Sequence, residues 1–120
     1  MYPPLFRVAA AAPGVVAVFG NPVRVYPFGD ADEKTPLPYA VWQVISGLPE
    51  NYLAGRPDID GFSTQIDVYA ETATEARTSA KALRDALEPV AYVTGYNGET
   101  RDPDTRNFRY SFDVAWLTPR

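Results

Sequence analysis

The segment from Pro38 to Thr72 places the strongest constraint on the fold of this chain. Residues 39–46 are rich in β-branched and aromatic types, and residues 62–70 alternate apolar and polar side chains as a strand with one buried face does. Residues 47–61 between them contain five Gly and Pro residues. The pattern predicts two paired strands joined by a long loop. Such loops are usually functional or disordered, and the apolar side chains inside this one favour a function.

A helix is predicted directly after this hairpin. Thr72 and Glu75 have the spacing of a capping box, and Pro89 ends the run. Apolar residues recur at helical spacing between them, at Ala73, Ala76, Ala80, Leu83 and Leu87. Because the stripe is mostly alanine, we expect this helix to lie close against a sheet.

The rest of the chain supplies shorter elements. We predict helices over residues 4–12 and 15–19, separated by Pro13-Gly14, and an edge strand over 23–27, since Pro27 lacks a ladder donor. Further predictions are a polar loop over 28–38, a strand over 90–96, a turn at Asn97-Gly98 and a final strand over 107–117.

A right-handed crossover from the third strand to the fourth leaves room for the fifth between them. The predicted order is therefore second, third, fifth, fourth, all antiparallel. The expected fold is α+β: one domain, residues 1–120, with a mostly antiparallel sheet of four to five strands. The long helix and the short N-terminal helices pack on one face. The loop over 47–61 then projects from one end, and loops over 28–38 and 95–106 project from the other.

The amino-acid composition reduces the number of function classes that suit this chain. The formal charge is −4, and cysteine and histidine are absent, which argues against a general nucleic-acid binder, disulfides, common zinc sites and imidazole catalysis. An acidic surface does suit a channel through which DNA slides without sticking. Eight Tyr, six Phe and two Trp exceed what one small core needs, so part of this aromatic area is expected to meet a partner. The apolar run over 8–20 is too short to span a bilayer.

No catalytic, metal or cofactor site is predicted. The Asp58/Asp60 and Asp102/Asp104 pairs resemble calcium loops, but the further ligands are missing, so solvated turns are the better interpretation. Two carboxylates on the polar sheet face, Asp67 and Asp113, would allow acid/base chemistry. The nearby Arg109 favours a structural salt bridge instead.

The order of YAVWQ, ISG-x-PE-N, a Gly-Arg-Pro-Asp turn, QIDVYA, a Thr-capped helix and RDAL resembles the tail-completion, or tail-terminator, proteins of long-tailed bacteriophages. MYPPLF at the start and RDP-x-TR-x-F-R-x-SFDV near the end extend the resemblance over nearly the whole chain. It is a likeness of overall pattern without a catalytic signature. It fits an active phage, a prophage or a gene-transfer particle.

The resemblance implies a structural virion protein that is not an enzyme. It implies a homo-oligomeric ring, commonly of six subunits, assembled in the bacterial cytoplasm at the head-proximal end of the tail. Its partners would be the tail tube protein and a head-closure protein, with DNA passing through unbound and no membrane involved. The expected contact residues are Phe28, Asp30, Tyr52, Leu53, Arg56, Asp58, Asp60, Glu99, Arg101, Asp102 and Arg106. Tyr52 with Arg56 suits an interface anchor. The equal alternative is that Tyr52 folds back and holds its own loop in place.

The alternative is a small cytosolic α+β domain that holds an apolar ligand between its helices and its sheet. The packing of the alanine-lined helix distinguishes the ligand-binding function from the structural one, because a tightly packed core leaves little room for a ligand.

Overall fold

A computed structural model describes residues 2–31, 34–50 and 59–119 of the chain. In this part, the elements in order are α1 (Leu5–Ala11), α2 (Pro13–Phe19), β1 (Val25–Pro27), β2 (Tyr39–Pro49), β3 (Ile59–Ala70), α3 (Ala73–Leu87), β4 (Tyr92–Arg101) and β5 (Phe108–Pro119).

The strands form one sheet in the order β1-β2-β3-β5-β4. β1 pairs with β2 in parallel, and the other neighbours are antiparallel. The predicted α+β class is confirmed, as are the edge position of β1 and the insertion of β5 between β3 and β4. This order follows from the crossover through α3, because it leaves β3 and β4 parallel with a space of one strand between them.

The helices cover one face of the sheet. Along β3, the side chains from Phe62 to Ala70 alternate between buried and half-buried, which is the pattern of a strand between a core and an open face. α1 and α2 contribute buried apolar residues to this core. From the central strands and the helices, the fully buried residues include Ile66, Val68, Phe112, Val114, Leu83, Leu87, Leu5 and Phe19.

α3 packs as its sequence predicts. The Thr72 hydroxyl accepts a hydrogen bond from the Glu75 backbone N–H at 3.1 Å and so caps the first turn. Small buried residues let the helix approach the sheet closely: Ala76, Ser79 and Ala80. Beneath it, the buried Thr64 hydroxyl donates to the Val114 carbonyl and accepts from the indole N–H of Trp116, both at 3.1 Å. This network satisfies the hydroxyl inside the core.

Two sequence predictions about the C-terminal hairpin are wrong. Asn97-Gly98 is not a turn but lies inside β4, at an irregularity in its pairing with β5. The strand continues to Arg101, and the reversal comes at residues 102–107, so the predicted loop over 95–106 is shorter. Gly98 has a φ of 108°, so the Asn-Gly signal for left-handed backbone is used by a bulge.

The predicted loop over 47–61 is also shorter than expected, because pairing continues on both sides of it. Gly47 lies opposite Phe62 and Pro49 opposite Asp60, which extends β2 and β3 to the Glu50–Ile59 backbone hydrogen bond of 2.9 Å. Asp60 is therefore a largely buried strand residue, not a loop residue. The predicted contacts Tyr52, Leu53, Arg56 and Asp58 lie outside the described residues.

Candidate assembly surfaces

The sheet face opposite the helices is open in the described chain. It carries an ion pair between Arg109 and Asp67, whose guanidinium and carboxylate are 3.0 Å apart. The amide of Gln65 also donates to Asp67, at 3.2 Å. The predicted salt bridge on this face is thus confirmed, with Asp67 as the partner of Arg109.

The second carboxylate on the open face has a different partner. Asn97 donates to Asp113 at 2.8 Å and to the Ser111 hydroxyl at 3.2 Å. The bulge at Asn97-Gly98 therefore ties the edge strand β4 to β5. Because each carboxylate accepts hydrogen bonds from a neighbouring strand, the polar residues here act as cross-strand connections of the sheet.

Two tyrosines stack at one end of the open face. The rings of Tyr39 and Tyr69, directly opposite each other on β2 and β3, have centroids 5.1 Å apart and an angle of 24°. Burial raises the pKa of both phenols above the ordinary value of 10.0. The Asp102 carboxylate adds to the raised pKa of Tyr39, and Asp67 adds to that of Tyr69, where Arg109 partly opposes it.

The other end of the open face is apolar. A groove of about 350 Å³ lies there, lined mainly by β2, β3, β5 and Tyr92 of β4. The exposed fractions of Leu48, Leu117 and Tyr92 are 73%, 60% and 71%. The sequence analysis missed this surface. Its signal was present in β5, where the polar-face positions change from Arg109, Ser111 and Asp113 to Ala115 and Leu117.

The β4–β5 turn brings together four predicted contact residues: Glu99, Arg101, Asp102 and Arg106. The Asp102 carboxylate accepts from the backbone N–H groups of Asp104, at 2.8 Å, and Thr105, at 3.2 Å. This is an Asx-type turn, which agrees with the interpretation of the Asp102/Asp104 pair as turn residues. Within the described ranges, no group of three or more acidic side chains is placed to hold a metal ion.

The charged residues of this turn also hold the hairpin together. Arg101 donates to the Arg106 carbonyl at 3.0 Å, and its guanidinium lies 4.7 Å from the centre of the Phe108 ring. Glu99 forms an ion pair with Arg77 of α3 at 2.7 Å. Any contact that they make with a partner is additional to these internal roles.

The two predicted contacts after β1 lie on a different part of the surface. Phe28 is 71% exposed, and Asp30 is exposed in a turn closed by its backbone N–H and the Pro27 carbonyl at 3.1 Å. Because β1 is parallel to β2, Pro27 lies at the level of Trp42, and Phe28 follows it at that edge of the sheet. The structure therefore separates Phe28 and Asp30, at an edge, from the residues of the β4–β5 turn.

A mostly antiparallel sheet with helices on one face and an uncovered second face defines a class of small α+β domains that leaves much sheet surface for assembly. Within that class, the chain belongs to the tail completion protein gp17 family, whose model matches residues 3–119. This is a family of phage tail structural proteins. The resemblance found in the sequence is thereby confirmed.

A solved structure supports the fold. A chain described as "Virion of native gene transfer agent (GTA) particle" superposes with a TM-score of 0.63 at 17% identity. The match covers 97% of this chain and 92% of that one. No curated protein sequence matches this chain. None of the helices described here is long and apolar enough to cross a membrane.

Proposed function

We propose that this protein closes the finished phage tail tube and forms the ring to which the DNA-filled head joins. The observation that carries the proposal is the family match over residues 3–119. The ring is commonly of six subunits in such proteins, and here it would be a homo-oligomer between a tail tube protein and a head-closure protein. The protein would thus occupy the head-proximal end of the tail in the virion.

The arrangement of the sheet supports a joint with two dissimilar sides. The register places the β4–β5 turn beyond the level of Tyr39 and Tyr69, and the paired residues Glu50 and Ile59 at the opposite end. A ring also needs a heterologous contact between subunits, which is not self-complementary. A subunit of such a ring requires two different ends for its two partners and two different edges for the contact between subunits.

The core weighs against the ligand-binding alternative. Leu83 and Leu87 of α3 and Ile66 and Phe112 of the sheet are 0% exposed, and Ala80 lies between them. These side chains fill the centre of the space between the helix and the sheet. A groove of about 240 Å³, lined in part by Ala80 and Phe112, lies at the margin of that space beside the exposed Tyr96. An assembly role uses the surface and needs no interior cavity.

Electron microscopy of particles made without this gene tests the proposal. We expect DNA-filled heads beside unattached tails, and joined particles after complementation with the wild-type gene. Normally joined virions without the gene would refute the function.

The connection over residues 51–58 supplies the next test. Tyr52→Ala/Arg56→Ala should restore joining poorly, because both side chains suit an interface anchor, while the purified variant keeps the wild-type circular dichroism. Lys81→Ala on the exposed side of α3 serves as the control and should restore joining fully. Normal infectivity of the double variant would exclude these residues as contacts.

A further inference from the structure

Two strand edges on opposite sides of the sheet have no neighbour in the described chain. β4 is the last strand in the order β1-β2-β3-β5-β4, so one side of Tyr92–Arg101 is unpaired. At the other side of the sheet, β1 pairs only with residues 40–42 of β2, which leaves the outer side of residues 44–49 unpaired. Unpaired backbone N–H and C=O groups on an edge are a template for another strand.

Exposed apolar side chains gather on these same two strands. β2 carries Val44, Ile45 and Leu48, and β4 carries Tyr92 and Tyr96, with exposed fractions between 36% and 73%. Soluble chains usually protect long edges with charged residues or proline. Such residues are present here, with Pro49 on β2 and Glu99 and Arg101 on β4, but they lie at the ends of the strands. The exposed apolar side chains leave both edges with surface to bury against a partner.

The strand directions allow the two edges to pair with each other across copies. From β2 to β4, the sheet contains four strands that alternate in direction, so β2 and β4 run in opposite directions. A rotation about a ring axis along the strands preserves those directions in the next copy. β4 of one subunit is therefore antiparallel to β2 of its neighbour, as an added strand of the same sheet requires.

We propose that the edge of β4 pairs with residues 44–49 of β2 in a second copy of this chain, so that the ring is closed by one continuous sheet. The inference rests on the ring of the proposed function and names the contact that closes it. The contact is heterologous, because two different edges meet, and it therefore closes a ring where two identical edges would stop at a dimer.

The side chains across this contact are complementary. Leu48 and Tyr92 both lie on the open face, at the end that holds the apolar groove. Within the sheet, Tyr92 lies at the level of Ser46, one residue pair from Leu48. A closed sheet requires the register of its strands to stagger, and a stagger of one residue pair places Leu48 opposite Tyr92 of the neighbouring subunit. There they form a cross-strand aromatic–aliphatic pair.

Disulfide cross-linking tests the contact cleanly, because the chain has no cysteine. Leu48→Cys/Tyr92→Cys is made in the full-length protein and used to complement the gene deletion, and the purified tails are then oxidised. Within one subunit the two positions are three strand spacings apart, roughly 14 Å, too far for a disulfide. We expect a non-reducing gel to show a ladder of oligomers up to the size of the ring, which disappears on reduction.

Two additional cysteine pairs test other staggers between the strands. Single-cysteine variants and a control pair test for disulfides formed by chance collisions. Ser46→Cys/Tyr92→Cys and Leu48→Cys/Gly95→Cys cover a shift of one residue pair in either direction. Each single cysteine variant should give no ladder. Leu48→Cys/Thr78→Cys is the matched control, since Thr78 is on the exposed side of α3, and it should give no ladder either.

The outcomes separate this inference from the proposed function. Joined, infective particles without a ladder from any of the three pairs would overturn the edge contact and leave the joining function intact. A dimer from Tyr92→Cys alone would also overturn it, since that result means a symmetric contact between two β4 edges. Failure of the wild-type gene to restore joining in the deletion strain would refute the function itself.

Discussion

At the scale of single residues, two ion pairs of unequal burial connect neighbouring elements: Arg109–Asp67 on the open face, and Arg77–Glu99 between α3 and β4. The Arg109–Asp67 pair is well shielded, with side-chain exposures of 31% and 16%, whereas those of the Arg77–Glu99 pair are 65% and 42%. Water screens the second pair much more. Arg109→Met should therefore lower the free energy of unfolding by about 1–2 kcal/mol, because the Asp67 carboxylate keeps only the Gln65 hydrogen bond.

Urea denaturation measures this difference. Arg77→Met is the matched control and should have a smaller effect. The double variant Arg109→Met/Asp67→Asn should recover part of the loss, since the unpaired charge is then removed. Equal effects of the two arginine substitutions would contradict the role given to burial.

The stacked tyrosines make a prediction about alkaline pH. In the folded state, burial raises the pKa of Tyr39 and Tyr69 above the ordinary 10.0 of an unfolded chain. Near and above that pH, the unfolded state has lost protons that the folded state retains, so stability falls as pH rises. The contribution of the raised pKa is fully present below pH 10.0 and is lost above it.

Unfolding followed by denaturant between pH 8 and pH 11 checks the sign. The wild-type protein should lose stability across the upper half of this range, and Tyr39→Phe/Tyr69→Phe should lose less. Tyr2→Phe, at a 67% exposed position, is the control and should follow the wild-type curve. An identical slope for the double variant would show that these phenols do not carry the effect.

At the scale of elements, the Asn97-Gly98 pair shows that a local sequence signal does not distinguish a turn from a bulge. The pair is typical of left-handed backbone, which Gly98 does adopt, but the turn predicted from it is wrong. Both tight turns and bulges use such backbone, however, and only the pairing of β4 with β5 decides between them. The same long-range pairing set the ends of β2 and β3, which is why the loop between them was predicted too long.

The bulge itself is testable. Gly98→Ala should lower the free energy of unfolding by about 1–2 kcal/mol, because a Cβ is strained at a φ of 108°. Apart from Gly98 and its two chain neighbours, no residue has an atom within 4 Å of the added Cβ, so the loss comes from the backbone and not from a clash. Gly95→Ala is matched to it, since it is also in β4 and also open, but its φ is not in the left-handed region. Thermal unfolding of the two variants should differ in this order, and equal stabilities would contradict the strained conformation.

α3 illustrates what sequence alone can predict well. Its cap, its length and its small-residue stripe depend on local spacing, and all three match the structure. Thr72→Ala should cost about 1 kcal/mol, because the Glu75 N–H then loses its acceptor, whereas Thr72→Ser should cost little. Thr74→Ala, two residues on and exposed, is the control for helix propensity and should be neutral or slightly stabilising. Circular dichroism during thermal unfolding gives both comparisons, and equal losses at the two positions would contradict the cap.

At the scale of the whole molecule, the class of fold was predictable because the order of elements and the crossover rule leave few topologies. The assembly surfaces could be predicted less well from the sequence. The predicted contacts Arg101 and Asp102 have internal roles in the β4–β5 turn, whereas the exposed edges and the apolar groove belong to no single segment of sequence. They arise where distant strands end next to each other, which a pattern along the chain does not report.

Charge is the whole-molecule property that bears on DNA. The formal charge is −4, and the cations of α3 lie in ion pairs: Arg77 with Glu99, Lys81 with Asp85 and Arg84 with Asp85. Binding to duplex DNA needs clustered cations that are free to replace counterions, so the protein should not retard DNA in a gel at physiological salt. Asp30→Lys/Asp104→Lys brings the formal charge from −4 to 0, since each substitution adds +2, and should increase any residual binding at low salt. A strong, salt-sensitive shift by the wild-type protein would contradict a channel through which DNA passes without binding.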